Sequence, residues 1–303
     1  MKNKLYLALV AALSLSVACQ KNTDGDDSRA FSDPANKEQA CVLIPNEPLP
    51  LLLPLRNNPS DPNTAHINDP INTVISRIEL TEGSRYVILF SQLETKASSP
   101  VAIWTGTYSF SDGKYTLPGV GTIEITSGSF TITPVIPGQP PVAVPAVVRP
   151  MRTTGTAAGN LSRAWKVVRT YVEVQGGKVT LGKEFNGCNL QEIAIALQKA
   201  GAHFTEADIT ALNGYTVHEV IISGAGTVTF VFSGVIPFYG TWSLSGASFN
   251  WQLQNSNSTL PGQISGTVSF PADKKCELTL NGSVKDDDSS YTASLVFNLD
   301  EVK

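Results

Sequence analysis

From Phe238 to Leu253 the chain reads FYGTWSLSGASFNWQL, and its apolar and polar positions alternate. Phe238, Gly240, Trp242 and Leu244 fall on one side, Tyr239, Thr241, Ser243 and Ser245 on the other, and beyond Gly246 the residues Phe249, Trp251 and Leu253 return to the apolar side. A period of two is that of a strand with one face in a core, so the stretch predicts a half-buried hairpin. The same alternation runs through TVTFVF, QISGTVSF, CELTLNGSV and YTASLVFNL, the last two joined by KDDDSS. With AWKVVRTYVEV at 164–174 and TVHEVII at 216–222, the carboxyl-terminal half is predicted to carry eight strands. One stretch changes period. NLQEIAIALQKAG places Leu190, Ile193, Ala194 and Leu197 at helical spacing, and TEADITALNG opens with Thr205 three residues before Asp208, a capping-box start; helices are predicted near 189–200 and 205–213.

Prolines set the expected boundaries. IPNEPLPLLLPLRNNPSDPN at 44–63 and TPVIPGQPPVAVPAVVRP at 133–150 are too rich in a residue that fixes φ and lacks an amide proton to be helix interior or central strand. The expected organisation is a tether over 19–65, a small antiparallel β domain over 66–133, a proline-rich linker over 134–150 and a larger β domain over 151–303. A weak internal repeat joins the halves. GTYSF at 106–110 matches GTWSL at 240–244, and TLPGVGTIEI at 116–125 matches TLPGQISGTVSF at 259–270. Trp104, Tyr108 and Phe110 stand to Gly106 as Phe238, Trp242 and Leu244 stand to Gly240.

The amino end has a different layout. Lys2 and Lys4 precede an apolar run from Leu5 to Val17, the pattern of a secretory signal over 1–18. As a helix that run would reach about 20 Å at the standard rise per residue, short of a hydrocarbon core about 30 Å thick. Ala18 and Cys19 resemble the lipobox of bacterial lipoproteins, which implies cleavage before Cys19 and its lipidation by diacylglycerol and a further acyl chain such as palmitate. Several chains on one residue make anchoring stable, since a single chain holds only marginally. The segment that follows is polar and acidic, as suits a solvated tether. Its order of basic then acidic residues resembles surface-export signals of Gram-negative lipoproteins, which implies an outer-membrane and surface-exposed location. Asp24, Asp26 and Asp27 lack the spacing of a calcium loop.

Composition narrows the class further. With 22 basic and 26 acidic residues the net charge is −4, and no basic stripe carries interleaved aromatics, so nucleic acid is not an expected partner. Beyond Cys19 the cysteines are Cys41, Cys188 and Cys276. A Cys188–Cys276 disulfide would add about 4 to 5 kcal/mol in the chain-entropy picture; three thiols in loop or core is the competing reading. His66, His203 and His218 are scattered, and HEVII lacks the second histidine of a zinc-protease motif. With no nucleophile elbow, phosphate loop or dinucleotide fingerprint, no catalytic residue, metal site or cofactor is assigned.

LSRAWKV at 161–167 resembles the first strand of lipocalin-like domains in Gram-negative lipoproteins, and YGTWSL with the aromatic strand after it is similar to their later hairpin. The resemblance implies a mainly β fold, an antiparallel eight-stranded barrel or curved sheet, closing around a small apolar ligand or filled by side chains. Trp242, Trp251, Trp104 and Tyr108, all on apolar faces, are the candidate ligand-binding residues. Three functions fit this sequence: a membrane-anchored binding module for a small apolar ligand, a carbohydrate-binding surface accessory protein, and a structural or partner-binding subunit of an outer-membrane complex.

Overall fold

The structure, a computed structural model, describes residues 38–47, 49, 73–92, 102–135, 137–151, 157–233, 238–253, 263–286 and 289–302. The signal segment, Cys19 and most of the expected tether lie outside these residues. The chain is mainly β and divides into two compact units, the first built mainly from residues up to Ala164 and the second from Trp165 to Val302.

The first unit holds β1 (Cys41–Pro45), β2 (Thr73–Thr81), β3 (Arg85–Gln92), β4 (Ala102–Thr107), β5 (Ser109–Ser111), β6 (Lys114–Leu117), β7 (Gly121–Thr126), β8 (Ser129–Pro134) and β9 (Val142–Pro150). Their order in the sheet is β4-β3-β2-β1-β9-β8-β7-β6-β5. β4 and β5 stand at the two ends of that order yet are separated in sequence by Tyr108 alone, whose amide still donates to Ser84 O at 2.9 Å. They form one bent strand that pairs with β3 through its first half and with β6 through its second. The sheet therefore closes on itself as an eight-stranded up-and-down barrel, and closure removes the exposed edges of an open sheet. Inward-facing Leu43, Ile75, Ile78, Leu80, Ile88, Tyr115, Ile123 and Phe130 are buried in its core.

This ring corrects two expected boundaries. β1 lies inside the predicted tether, and Cys41 and Leu43 are core residues; Leu49 is also buried and accepts the Ile75 amide at 3.0 Å. β9 is most of the predicted linker. Its first half pairs with β8 (Val142↔Ile132 to Pro145↔Ser129) and its second with β1 (Ala146↔Pro45 to Pro150↔Cys41). Such staggered pairing leaves alternate amides outside any ladder, where proline forfeits no hydrogen bond. The first domain is thus larger than 66–133, because its first and last strands are proline-bearing segments that close the barrel.

The second unit holds β10 (Ala164–Gly176), β11 (Val179–Asn186), β12 (Cys188–Asn189), β13 (Thr216–Ile222), β14 (Thr227–Ser233), β15 (Phe238–Ser245), β16 (Ser248–Leu253), β17 (Gln263–Ala272), β18 (Lys275–Asp286) and β19 (Ser289–Glu301). The order β11-β10-β19-β18-β17-β16-β15-β14-β13-β12, with a further β10–β13 pairing, closes a second ring of β10 and β13–β19. Those are the eight strands that the alternation predicts. β11 is an addition that extends the hairpin from β10 beyond the ring. Both rings run strand to neighbouring strand and close first on last. Gly106 and Gly240, equated by the sequence repeat, both lie on the fourth strand of their ring, and the second matching segment reaches the sixth, β7 and β17.

Among the described residues three short helices accompany the strands. α1 (Ala157–Leu161) precedes β10, and α2 (Leu190–Lys199) and α3 (Glu206–Ala211) fill the connection between β12 and β13. Asn189 caps α2, its Oδ1 accepting the amides of Gln191 (2.9 Å) and Glu192 (3.2 Å). Thr205 caps α3 reciprocally with Asp208: Asp208 N donates to Thr205 Oγ1 at 3.2 Å and Thr205 N to Asp208 Oδ2 at 3.0 Å. Such caps satisfy amides that a helix start leaves open, each worth about 1 kcal/mol.

Candidate functional site

The four candidate aromatics fall into two separate interiors. In the second barrel Trp242 and Trp251 are directly opposite across β15 and β16, both facing inward. Trp251 is 1% exposed and Trp242 5%. The Trp251 indole stacks on Phe230 with centroids 4.6 Å apart and planes 24° from parallel, and Phe230 meets Phe297 at 5.9 Å. Trp242 stacks on Phe249 at 6.1 Å and 17°. The two indoles are therefore engaged with phenylalanines of β14 and β16, and through Phe230 with Phe297 of β19.

A local device makes the Trp251 position available. A methyl group at Gly240 would fall on Trp251 Nε1 and on the backbone oxygen of Gln252, and 2.7 Å from Trp251 Cδ1. The indole lies flat over a backbone position that only glycine leaves open. Trp251 Nε1 has no hydrogen-bond partner among the described residues. Its place is decided by ring packing, at the expense of a buried donor.

In the first barrel Tyr108 is 5% exposed and its hydroxyl donates to Thr81 O at 2.9 Å. Tyr108 and Tyr115 meet edge to face, centroids 5.5 Å apart, and Phe110 leans on Tyr115 at 4.7 Å. Burial first, and then the carboxylate of Glu38, hold the Tyr108 phenol far above its usual range. Trp104 is half-buried against Phe90, centroids 5.2 Å apart. The fully buried carboxylate of Glu79 pairs with Arg77 Nε at 2.7 Å, as a charge held away from water must.

Cys41, Cys188 and Cys276 are buried and in no disulfide, which favours the thiol reading over a Cys188–Cys276 bridge. Cys188 pairs in register with Val217 on β13, whereas Cys276 lies opposite Leu299 on β19, so different strand neighbours cover the two sulfurs. Burial pushes the Cys188 thiol up to about 12, against hydrogen bonds from Thr170 and the Val217 backbone, and burial drives Cys41 higher still. Thiols so protonated are poor nucleophiles. Of the histidines, His66 lies outside the described residues, His203 is exposed, and His218 Nδ1 sits 3.4 Å from Ser233 Oγ. Among the described residues no group of three or more His, Cys, Asp or Glu is placed to hold a metal ion. No described helix is long and apolar enough to cross a membrane.

One exposed constellation was not singled out by the sequence. Tyr171, on the outer face of β10, is 37% exposed, and a methyl at Gly182 of β11 would come within 2.8 Å of its Oη. The ring thus reaches across the strands with its tip over a glycine. Around it, Arg169 Nη1 meets Glu184 Oε1 at 3.4 Å, and Gln175 Nε2 donates to Glu173 Oε1 at 2.9 Å. The signal was an aromatic among polar residues in AWKVVRTYVEV.

No family model matches the sequence, and no curated protein matches it. Among solved structures the chain is similar to a tryptophan mutant of the vaccine antigen Transferrin Binding Protein B from Haemophilus parasuis Hp5, at 14% identity and TM-score 0.23, over 75% of this chain and 45% of that one. A double mutant of the same antigen gives 12% identity and TM-score 0.23, over 75% and 54%. Intact Ap-TbpB, with N and C lobes, gives 8% and 0.19, over 87% and 76%. The chain spans about half the length of the first two structures. With superposition at that level, the functional reading rests on this chain's own geometry.

Proposed function

We propose that the protein is an exported lipoprotein, anchored to the outer membrane through Cys19, whose two barrels are filled scaffolds and whose binding is done on their outer faces as a partner-binding component of the cell surface. The observation that carries this is the state of the second barrel's aromatics: Trp251 and Trp242 spend their ring faces on Phe230 and Phe249. A ligand entering there would have to break those stacks, each worth about 0.5 to 1.5 kcal/mol beyond its area. A glycan stacking on Trp242, Trp251 or Tyr108 would need ring faces that are buried. The outer side of β10 and β11 carries no such obstacle, since Arg169, Tyr171, Gln175, Thr180 and Glu184 are exposed there, and the closed ring holds β10 in place.

The anchor supplies location. Each acyl methylene buried in the membrane contributes about 0.8 kcal/mol, so several chains on Cys19 would hold the mature protein at the lipid surface. The acidic segment after it would let the first barrel stand off that surface. Metabolic labelling with an alkyne palmitate, followed by membrane fractionation, tests the reading. The native chain should label and sediment with outer membranes, and Cys19→Ala should do neither. A native protein that stays unlabelled and soluble in the periplasm overturns it.

A further inference from the structure

We infer that the outer face of β10 and β11 around Tyr171 is a binding site for a neutral oligosaccharide, with the phenol ring as the stacking platform. This rests on the reading that the barrels bind through their outer faces, and it names the class of partner for one of them. Three observations converge on it. The first is the ring itself. β10 carries an irregularity at Val168, since Val167 pairs with Leu299 while Arg169 pairs with Asn298. The extra residue turns Arg169, Tyr171, Glu173 and Gln175 outward and leaves Thr170 and Val172 inside. Tyr171 then stands exposed, with its tip held over the bare backbone of Gly182. A ring laid along a sheet offers one open face, the surface on which the C–H side of a pyranose packs.

The second observation is the polar frame. In register, Tyr171 has Glu184 opposite on β11 and Val296 on β19; one step away, Glu173 faces Gly182 and Ser294, and Gln175 faces Thr180 and Thr292. Carboxylates, an amide and hydroxyls at strand spacing provide acceptors and donors on both sides of the ring, suited to the paired hydroxyls of a sugar. The third is charge. Arg169 is matched by Glu184, and Glu173 receives Gln175 Nε2, so the frame holds two carboxylates against one guanidinium. That balance disfavours an anionic glycan and leaves a neutral one. The polar face continues past β19, where Thr279, Asn281 and Ser283 of β18 lie opposite Val296, Ser294 and Thr292, giving room for more than one sugar ring.

The test is calorimetric titration of the purified full-length protein with maltohexaose, cellohexaose and mannohexaose, repeated on Tyr171→Phe, Tyr171→Ala and Gly182→Ala. At least one sugar should bind saturably. Tyr171→Phe should keep that binding because the ring survives, and Tyr171→Ala should weaken it by at least about tenfold, the scale of one lost stacking contact with its buried area. Gly182→Ala, which lifts the ring tip, should weaken it less. Unchanged melting temperatures would show that the variants are folded. Absence of saturable binding to all three sugars, or a Tyr171→Ala variant that binds like the native protein, overturns the site. Uptake of a fatty-acid probe into a barrel would instead overturn the outer-face reading on which the site depends.

Discussion

Replacing Gly240 with alanine places a single methyl group where the second barrel has no space. Its carbon would collide with the backbone oxygen of Gln252 on β16 and with Trp251 Nε1, and stand 2.7 Å from Trp251 Cδ1. Neither obstacle is the free end of a flexible side chain. The indole is clamped against Phe230 at 4.6 Å, and Gln252 is held in the ladder opposite Thr241. Relief therefore requires the two strands to part or the indole to leave its stack. Forced overpacking of this kind costs about 1 to 3 kcal/mol, and loss of the aromatic stack adds about 0.5 to 1.5 kcal/mol. A total of about 2 to 4 kcal/mol corresponds to a fall in Tm of roughly 5 to 15 °C for a unit of this size. Thermal denaturation followed by tryptophan emission should show that fall, with a red-shifted native spectrum. Gly106→Ala is the internal control. There the three nearest atoms, at 2.6 to 2.7 Å, all belong to the hydroxyl end of the Tyr86 side chain, with no backbone atom among them. Its Tm should change by less than about 4 °C, and a Gly240→Ala variant equally close to the native value would refute the argument.

The thiols and the helix cap give two further expectations. In the native protein the buried Cys41, Cys188 and Cys276 should resist a thiol reagent at mildly alkaline pH, burial also holding Cys41 and Cys188 protonated, and all three should react after unfolding without reductant; a single reactive thiol would mean a disulfide. The side-chain and backbone hydrogen bonds of Thr205 lower the Asp208 carboxyl below its unfolded value, so its support for α3 is full above the ordinary carboxylate range and lost as pH falls through the depressed folded value. Protection factors of the Glu206–Ala211 amides, corrected for intrinsic exchange, should fall over that acid window in the native chain and lose that pH dependence in Asp208→Asn; equal protection at neutral and acid pH in the native chain would contradict this.

Much of the second barrel is legible in its sequence because half-buried strands carry their period openly. TVHEVII and the hairpin from Phe238 to Leu253 read as strands and are strands. β11 is harder to read, since VTLGKEFN places Gly182, Lys183 and Glu184 in mid-strand and pairs only with β10 among the described strands. β1 and β9 are hidden by proline, a residue that argues against strands until staggered pairing removes the demand for the missing amide proton. The candidate aromatics pack into the barrel interiors, but alternation cannot tell a ring that lines a space from one stacked on Phe230. Tyr171 was obscured by one residue. Counting by twos from Trp165 puts it inside, and the bulge at Val168 turns it out. The cysteine pairing is illegible for a related reason: spacing along the chain carries no information on which strands become neighbours.

The central claim is that these barrels are filled and act from outside, and titration with a fluorescent fatty-acid analogue tests it most directly. The Phe230–Trp251 and Trp242–Phe249 stacks predict no saturable uptake and no quenching of the buried tryptophans. One-to-one binding that quenches tryptophan emission, and that is lost in Trp251→Ala with the fold intact, would contradict the claim.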